Sequence, residues 1–346
     1  MKECKVSTDI EKGLISKRLS AFIKGVAIIL MLLHHLFAYA ERYPESVNII
    51  SVFNNIKVEQ IIGQFGKYCI PLFLFVSGYG FSLSTSSETP AKYYINKIVN
   101  FFISYWIVFF IFVPISYFYS QWYFVRLDSY NLLLNLFALS SSYNHEWWFI
   151  LPYLLLMGLT PFFHKMKNNY VALLALSYIL WGVSSIPSKA QSFLFWQPAY
   201  VLGFIFSDLK ISERLSTITY NNYHKIFILI SSVVLLIVTF LNYDWDSMPF
   251  MVILLILTIL IIYLYLPNIL KVIIEEIGNK SLFIWLTHSF YCYHFAKDIV
   301  YYPRVSLFIF LELLIVSYLT SVVLIKVNNF ILLNLRNRGF FKWLSL

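Results

Sequence analysis

The chain has 346 residues, of which 60% are apolar and only 12% are charged, about half the charged share of a soluble domain. Phe, Tyr and Trp make up 20%, and the formal net charge is +9. This composition excludes a disordered chain, a nucleic-acid-binding tail, a disulfide-stapled secreted domain and an ordinary soluble globule, because too little polar side chain is available to solvate a surface. What remains is an all-α, polytopic transmembrane helix bundle.

In chain order, the runs free of Lys, Arg, Asp and Glu are 25–40, 68–87, 98–125, 147–164, 168–188, 190–207, 226–243, 247–270 and 281–296, and a further run, 305–325, is broken only by Glu312. A span needs about 20 mostly apolar residues, so these runs predict about ten spans. They are continuous rather than alternating, which argues against a strand barrel. With both termini in the cytoplasm, nineteen of the 26 Lys and Arg fall on the inner side, as the positive-inside rule requires. Topology thus accounts for the excess basicity, and no nucleic-acid partner is expected. Residues 1–18 are read as an N-terminal cytoplasmic tail, 19–326 as the membrane domain and 327–346 as a cytoplasmic, interfacial C-terminal tail. The longest outer loops are 41–59 and 126–146, the second with a short apolar re-entrant piece around 132–139. The basic start, the first apolar run and Ala38-Tyr39-Ala40 mimic a secretory signal, but His34-His35 closes that run and the charge count requires the first span to be retained. Cys4, Cys69 and Cys292 show no disulfide framework or metal spacing.

Ionisable groups inside a span are costly and often mark function. The candidates are Lys24, His34, His35, His288, His294 and Glu312. Lys24 and His35 are 11 residues apart, three helical turns, so both project from one face, about 16 Å apart along the axis. His34 points about 100° away. A cation and an imidazole on one stripe line a path across the bilayer; a snorkelling Lys and an interfacial His are the plain alternative. Glu312 and His288 fit structural bridges as well as functional ones, and His294 reads as interfacial.

Span 1 has Lys24, Gly25, Ala27 and His35 in register with the first-span signature of acyltransferase family 3, the integral-membrane O-acyltransferases, and further landmarks follow in order. The stretch 70–81 (IPLFLFVSGYGF) carries Ser77, Gly78 and Tyr79. The stretch 92–106 (KYYINKIVNFFISYW) enters the third span from a basic inner loop. The stretch 147–161 (WWFILPYLLLMGLTP) is Trp-led and ends in Pro, Gly203 has a matching context, and 278–288 (GNKSLFIWLTH) ends in His288. Over about residues 18 to 326 the chain resembles that family. It departs in carrying Lys24 where Arg is usual, Lys97-x-x-Asn100 for Arg-x-x-Arg, and Pro152 and Tyr153 where many members have a Glu.

The resemblance implies transfer of an acyl group, most often acetyl, from acetyl-CoA or another acyl-CoA to a hydroxyl of a cell-surface glycan or lipid-linked saccharide. It implies a place in the membrane, expected to be the bacterial cytoplasmic membrane. A hydroxyl needs a base, and the ordinary pKa of His suits that task. His35 is then the catalytic base, with Lys24 holding a phosphate or the thioester end of the donor. Lys92 and Lys97 are expected at the coenzyme phosphates, with Ser77 and Tyr79 also on the donor. Trp148, His288 and Glu312 are expected to hold the acceptor or support the site. No metal is expected: HExxH, CxxC, Walker A and GxSxG are all absent, and His145-Glu146 has no second His at zincin spacing. The competing class is a transporter or flippase for a glycolipid or small polar solute, which would also use intramembrane His, Lys and Glu. The spans show no paired inverted repeat and few Gly/Pro breaks to favour it.

Overall fold

A computed structural model describes residues 15–45, 47–83, 90–119, 128–167, 169–187, 190–207, 222–242 and 248–337. Cys4 and the basic residues of the two tail ends (Lys2, Lys5, Lys12, Arg338 and Lys342) lie outside the described residues, as does most of the 208–225 loop. The helices are α1 (Lys17–Phe37), α2 (Ile56–Phe65), α3 (Cys69–Leu83), α4 (Pro90–Tyr119), α5 (Ser129–Leu136), α6 (Ile150–Lys165), α7 (Tyr170–Val183) and α8 (Gln191–Phe206). They continue with α9 (Asn222–Asn242), α10 (Met248–Tyr265), α11 (Asn268–Asn279), α12 (Ser281–Cys292), α13 (Lys297–Tyr301) and α14 (Ser306–Asn337). Among the described residues the one strand-like pairing is a bridge from Ile50 to Val305.

Helix starts follow side-chain chemistry. Ser16 Oγ accepts from the Leu19 N–H at 3.2 Å, Asn55 from Lys57 at 3.0 Å, Asp128 from Asn131 at 2.8 Å and Asn169 from Ala172 at 3.1 Å. Each satisfies a backbone donor that the helix cannot pair itself.

Among the described residues, six segments are long and apolar enough to cross a membrane: Lys17–Phe37, Ile56–Leu83, Lys92–Tyr119, His145–Lys165, Met248–Tyr265 and Ser306–Leu335. The chain is an integral membrane protein of α-helices. The apolar runs at 168–188, 190–207 and 281–296 fold as shorter helices. α7 has 14 residues, α8 has 16 and α12 has 12. From Trp196 to Ile205 every residue of α8 is buried, so its apolar run is set by protein on all sides. α14 continues unbroken past residue 326 to Asn337. Leu319, Val323, Phe330 and Leu333 lie exposed along it, a row that suits lipid.

The chain divides into two compact units, one of Met1–Ala27, Tyr68–Thr85 and Leu159–Asn279, the other of Ile28–Lys67, Ser86–Gly158 and Lys280–Leu346. In the first, α3 and α8 meet backbone to backbone at Gly78 and Gly203. A Cβ at Gly78 would stand 2.1 Å from the Tyr200 carbonyl oxygen, and one at Gly203 2.0 Å from that of Phe75. Between α7 and α8, Ser177 donates to Gln197 Oε1 at 2.8 Å and Gln197 Nε2 donates back to the Ser177 carbonyl at 2.7 Å, a polar clamp of the kind used between membrane helices. The start of α1 crosses α11 just as closely: a Cβ at Gly278 would be 1.8 Å from the Ala21 carbonyl oxygen, and one at Gly25 1.9 Å from that of Ile274. Arg18 and Glu275 close this crossing at 3.1 Å, with Tyr263 donating to the same carboxylate. Gly278→Val must push two helices apart, at a cost of about 1–3 kcal/mol. Its midpoint of thermal unfolding in detergent is expected to fall. Gly158→Ala, where a Cβ meets nothing within 4 Å, should leave that midpoint in place.

In the second unit α4 packs on α12 and α14. Its core is aromatic: Tyr105 and Phe109 lie against Trp147, which meets Phe290. This packing brings the 143–149 segment against α12 and so positions the site.

Candidate active site

His34 and His35 end the apolar part of α1 and do different work. His34 Nδ1 lies 2.9 Å from the Gly63 carbonyl, which can only accept, so Nδ1 carries the proton. Gly63 and Gly66 let α2 and its following turn lie directly on α1; a Cβ at Gly66 would stand 2.2 Å from the Leu30 carbonyl oxygen. His34 is a fastener for that contact. His35 turns the other way and is buried, 9% exposed, among Tyr293, Glu146 and His288.

Counting protons fixes its tautomer. The Tyr293 hydroxyl donates its one proton to the His35 carbonyl at 2.6 Å and accepts from Arg42 Nη1 at 2.7 Å. Its remaining contact, 3.0 Å from His35 Nδ1, therefore has the imidazole as donor. His35 Nδ1 holds the proton, and Nε2 is the bare nitrogen. That nitrogen faces Glu146 Oε2 at 3.6 Å, too long for a hydrogen bond. Two acceptors face each other at a distance that only a shared proton, with slight closure, would bridge. Glu146 thus stands on the Nε2 side of the imidazole and Tyr293 on the Nδ1 side.

Arg42 ties the group together. It lies 3.8 Å from Glu146 Oε1, with its guanidinium carbon 4.7 Å from the Tyr39 ring centre and 5.3 Å from that of Tyr293. Burial works against its charge, but Tyr293 and Glu146 outweigh burial and hold its pKa above the ordinary Arg value.

Glu146 reaches this place through a chain of hydrogen bonds. Tyr105 donates to the Asn135 carbonyl at 2.6 Å and Trp106 to that of Leu136 at 2.9 Å, pinning α5 to α4. Ala138, with φ of 56°, turns the chain out of α5. The Asn135 side chain then holds Ser142 and the Tyr143 N–H. Asn144 accepts from the Glu146 N–H at 3.1 Å and donates to Ser289 at 2.7 Å, while Trp147 Nε1 donates to the Leu286 carbonyl at 3.1 Å. The segment carrying Glu146 is thereby fixed on α12, the helix of His288.

The residues singled out from sequence divide between the units. His35, His288, Lys92, Lys97, Trp148 and Glu312 belong to the second, and Lys24, Ser77 and Tyr79 to the first. The His35 and His288 rings are 4.7 Å apart. Lys24 is half-buried on α1, three turns before His35 on the same unbroken helix. Tyr79 is buried and its hydroxyl accepts from the Ile15 N–H at 3.0 Å, while Ser77 is half-buried beside the close contact at Gly78. Lys97 is exposed, its ammonium 5.3 Å from the Tyr93 ring centre, and Lys92 is half-buried. Trp148 packs edge-on against Phe149 at 5.8 Å. Glu312 is half-buried and makes no ion pair among the described residues; the carboxylate beside His35 is Glu146. Arg42, Glu146 and Tyr293 were not among the residues expected from sequence. Glu146 was visible there only as half of an incomplete metal motif. Among the described residues, no cluster of three His, Cys, Asp or Glu has the arrangement to hold a metal ion.

A family model described as an acyltransferase domain matches residues 21–326. No curated protein and no solved structure gives a match.

Proposed function

The chain belongs to this acyltransferase family, and on that premise we propose that it moves an acetyl group from acetyl-CoA to a hydroxyl of a cell-surface glycan or of its lipid-linked precursor. The observation that carries the reading is the bare Nε2 of His35 facing Glu146 at 3.6 Å. A hydroxyl that approaches His35 Nε2 beside Glu146 gives its proton to that nitrogen as its oxygen attacks the thioester carbonyl. Tyr293 and the Arg42 guanidinium hold the imidazole in the tautomer that can accept it. Glu146 stabilises the imidazolium that forms, its charge lying where positive charge develops. The proton then passes to the departing thiolate, and free coenzyme leaves.

Lys92 and Lys97 on α4 serve the coenzyme phosphates, and Lys24 the donor's thioester end, with Ser77 and Tyr79 supporting it. Trp148 and Glu312 border the acceptor. The protein sits in a bacterial cytoplasmic membrane with about ten crossings and both termini in the cytoplasm, the orientation that puts nineteen of its 26 Lys and Arg inside. A cysteine introduced in the 41–59 or 126–146 loop is expected to react with an impermeant reagent from outside. One introduced in the 208–225 loop is expected to react only after the membrane is opened, and labelling there from outside would reverse the topology.

The test of function is purified protein with acetyl-labelled acetyl-CoA and a glycan extract. Label should appear in the glycan as an alkali-labile ester. Labelled coenzyme that stays intact with every extract fraction would remove the reading.

A further inference from the structure

His288 holds a second bare nitrogen. Its Nδ1 lies 2.7 Å from the Trp285 carbonyl, so Nδ1 carries the proton and Nε2 is an acceptor only. His288 is 0% exposed, and its Nε2 has no hydrogen-bond partner among the described residues. An unpaired buried acceptor is costly, and native structures rarely leave one without a purpose. The ring stands 4.7 Å from that of His35, tilted by 46°, so two imidazoles, each with a bare Nε2, are immediate neighbours.

We propose that His288 Nε2 receives the O–H of a second hydroxyl on the acceptor, carried on the carbon next to the one acylated, and so selects acceptors with neighbouring hydroxyls. The identity of the ligand rests on the acyl-transfer reading; the unpaired nitrogen does not. A single hydroxyl has one proton. If that proton goes to His35 Nε2, His288 stays unsatisfied, and a lone alcohol binds with a buried acceptor unmade. Two imidazoles side by side call for two donors side by side, which hydroxyls on adjacent carbons supply. Selection by an unmet buried hydrogen bond is the kind that discriminates well against analogues lacking the group.

The test compares trans-vicinal cyclohexanediol with cyclohexanol as acceptors for acetyl-CoA in the full chain. The wild type is expected to favour the diol in kcat/KM by a factor of about 5 to 150. His288→Asn keeps an N–H for the Trp285 carbonyl but places no atom at Nε2; it should lose the preference by losing rate on the diol alone. His288→Gln carries a carbonyl oxygen of similar reach and should restore part of it. A preference unchanged in His288→Asn, or equal losses on both alcohols, overturns the proposal, the second outcome marking a purely structural histidine. A second readout needs no turnover: nitrogen NMR of histidine-labelled protein, with the His288 Nε2 signal assigned by its loss in His288→Asn. The diol should move that signal. Movement without any acetyl transfer supports the subsite and sinks the acyl-transfer reading; a signal that the diol leaves in place overturns the subsite whatever the transfer rate.

Discussion

His35→Ala is expected to lower acyl transfer by about 10²–10⁴, the usual cost of losing a general base, with donor binding retained because the base acts on the acceptor. His34→Ala should keep most of the rate. Its imidazole is committed to the Gly63 carbonyl at 2.9 Å, and its loss should appear as about 0.5–1.5 kcal/mol of stability, the worth of one hydrogen bond. The comparison is made on initial rates at matched amounts of folded protein, with the midpoint of thermal unfolding recorded for each. A His35→Ala protein of native stability that still transfers at near-normal rate would refute the mechanism. Equal losses in the two variants would leave an enzyme but remove the argument that distinguishes the two histidines.

Glu146→Gln is the second large effect. The amide preserves size and can still meet His35 Nε2, but it removes the negative charge that faces both His35 and Arg42 at 3.6 and 3.8 Å. An imidazolium forming beside Arg42 would then have no counter-charge, in surroundings where charge is poorly screened. Transfer should fall by about 10²-fold or more, in kcat rather than in KM for the donor. Glu312→Gln should act through the acceptor alone, raising its KM while kcat stays close to wild type, since Glu312 makes no ion pair among the described residues. A Glu312→Gln loss as large as that of Glu146→Gln would move the acidic partner back to α14.

The parts of this arrangement that follow a local period could be read from sequence. Unbroken apolar runs gave helices, and the interval from Lys24 to His35 became three turns of one helix, α1. The 100° between His34 and His35 became two separate environments, a backbone carbonyl for one and a polar cluster for the other. Length was harder. α8 is as apolar as a span and 16 residues long, with Trp196 to Ile205 buried by protein, and apolar composition reports burial without saying whether lipid or protein does the burying. α14 runs past the charges near Lys326 since nothing there breaks a helix: neither Gly nor Pro occurs from Ser306 to Asn337. Glu146 escaped notice for a different reason. It meets His35 from 111 positions away, through a turn whose course depends on Asn135, Asn144 and Trp147, and no periodicity links such residues. Tyr293 is one Tyr among 26, and only its three hydrogen-bond contacts set it apart.

On the proposed mechanism the chemistry turns on the pairing of His35 and Glu146 as one unit at the acceptor hydroxyl. Its most direct measurement is a double-mutant cycle on kcat with His35→Ala, Glu146→Gln and the two combined, in reconstituted protein with saturating acetyl-CoA. Groups that share one proton-transfer step are strongly non-additive. The combined variant should be no more than a few-fold slower than the slower single variant. Losses that multiply, so that the combined variant falls to the product of the two single effects, would show two independent roles and contradict the pairing seen across the 3.6 Å gap.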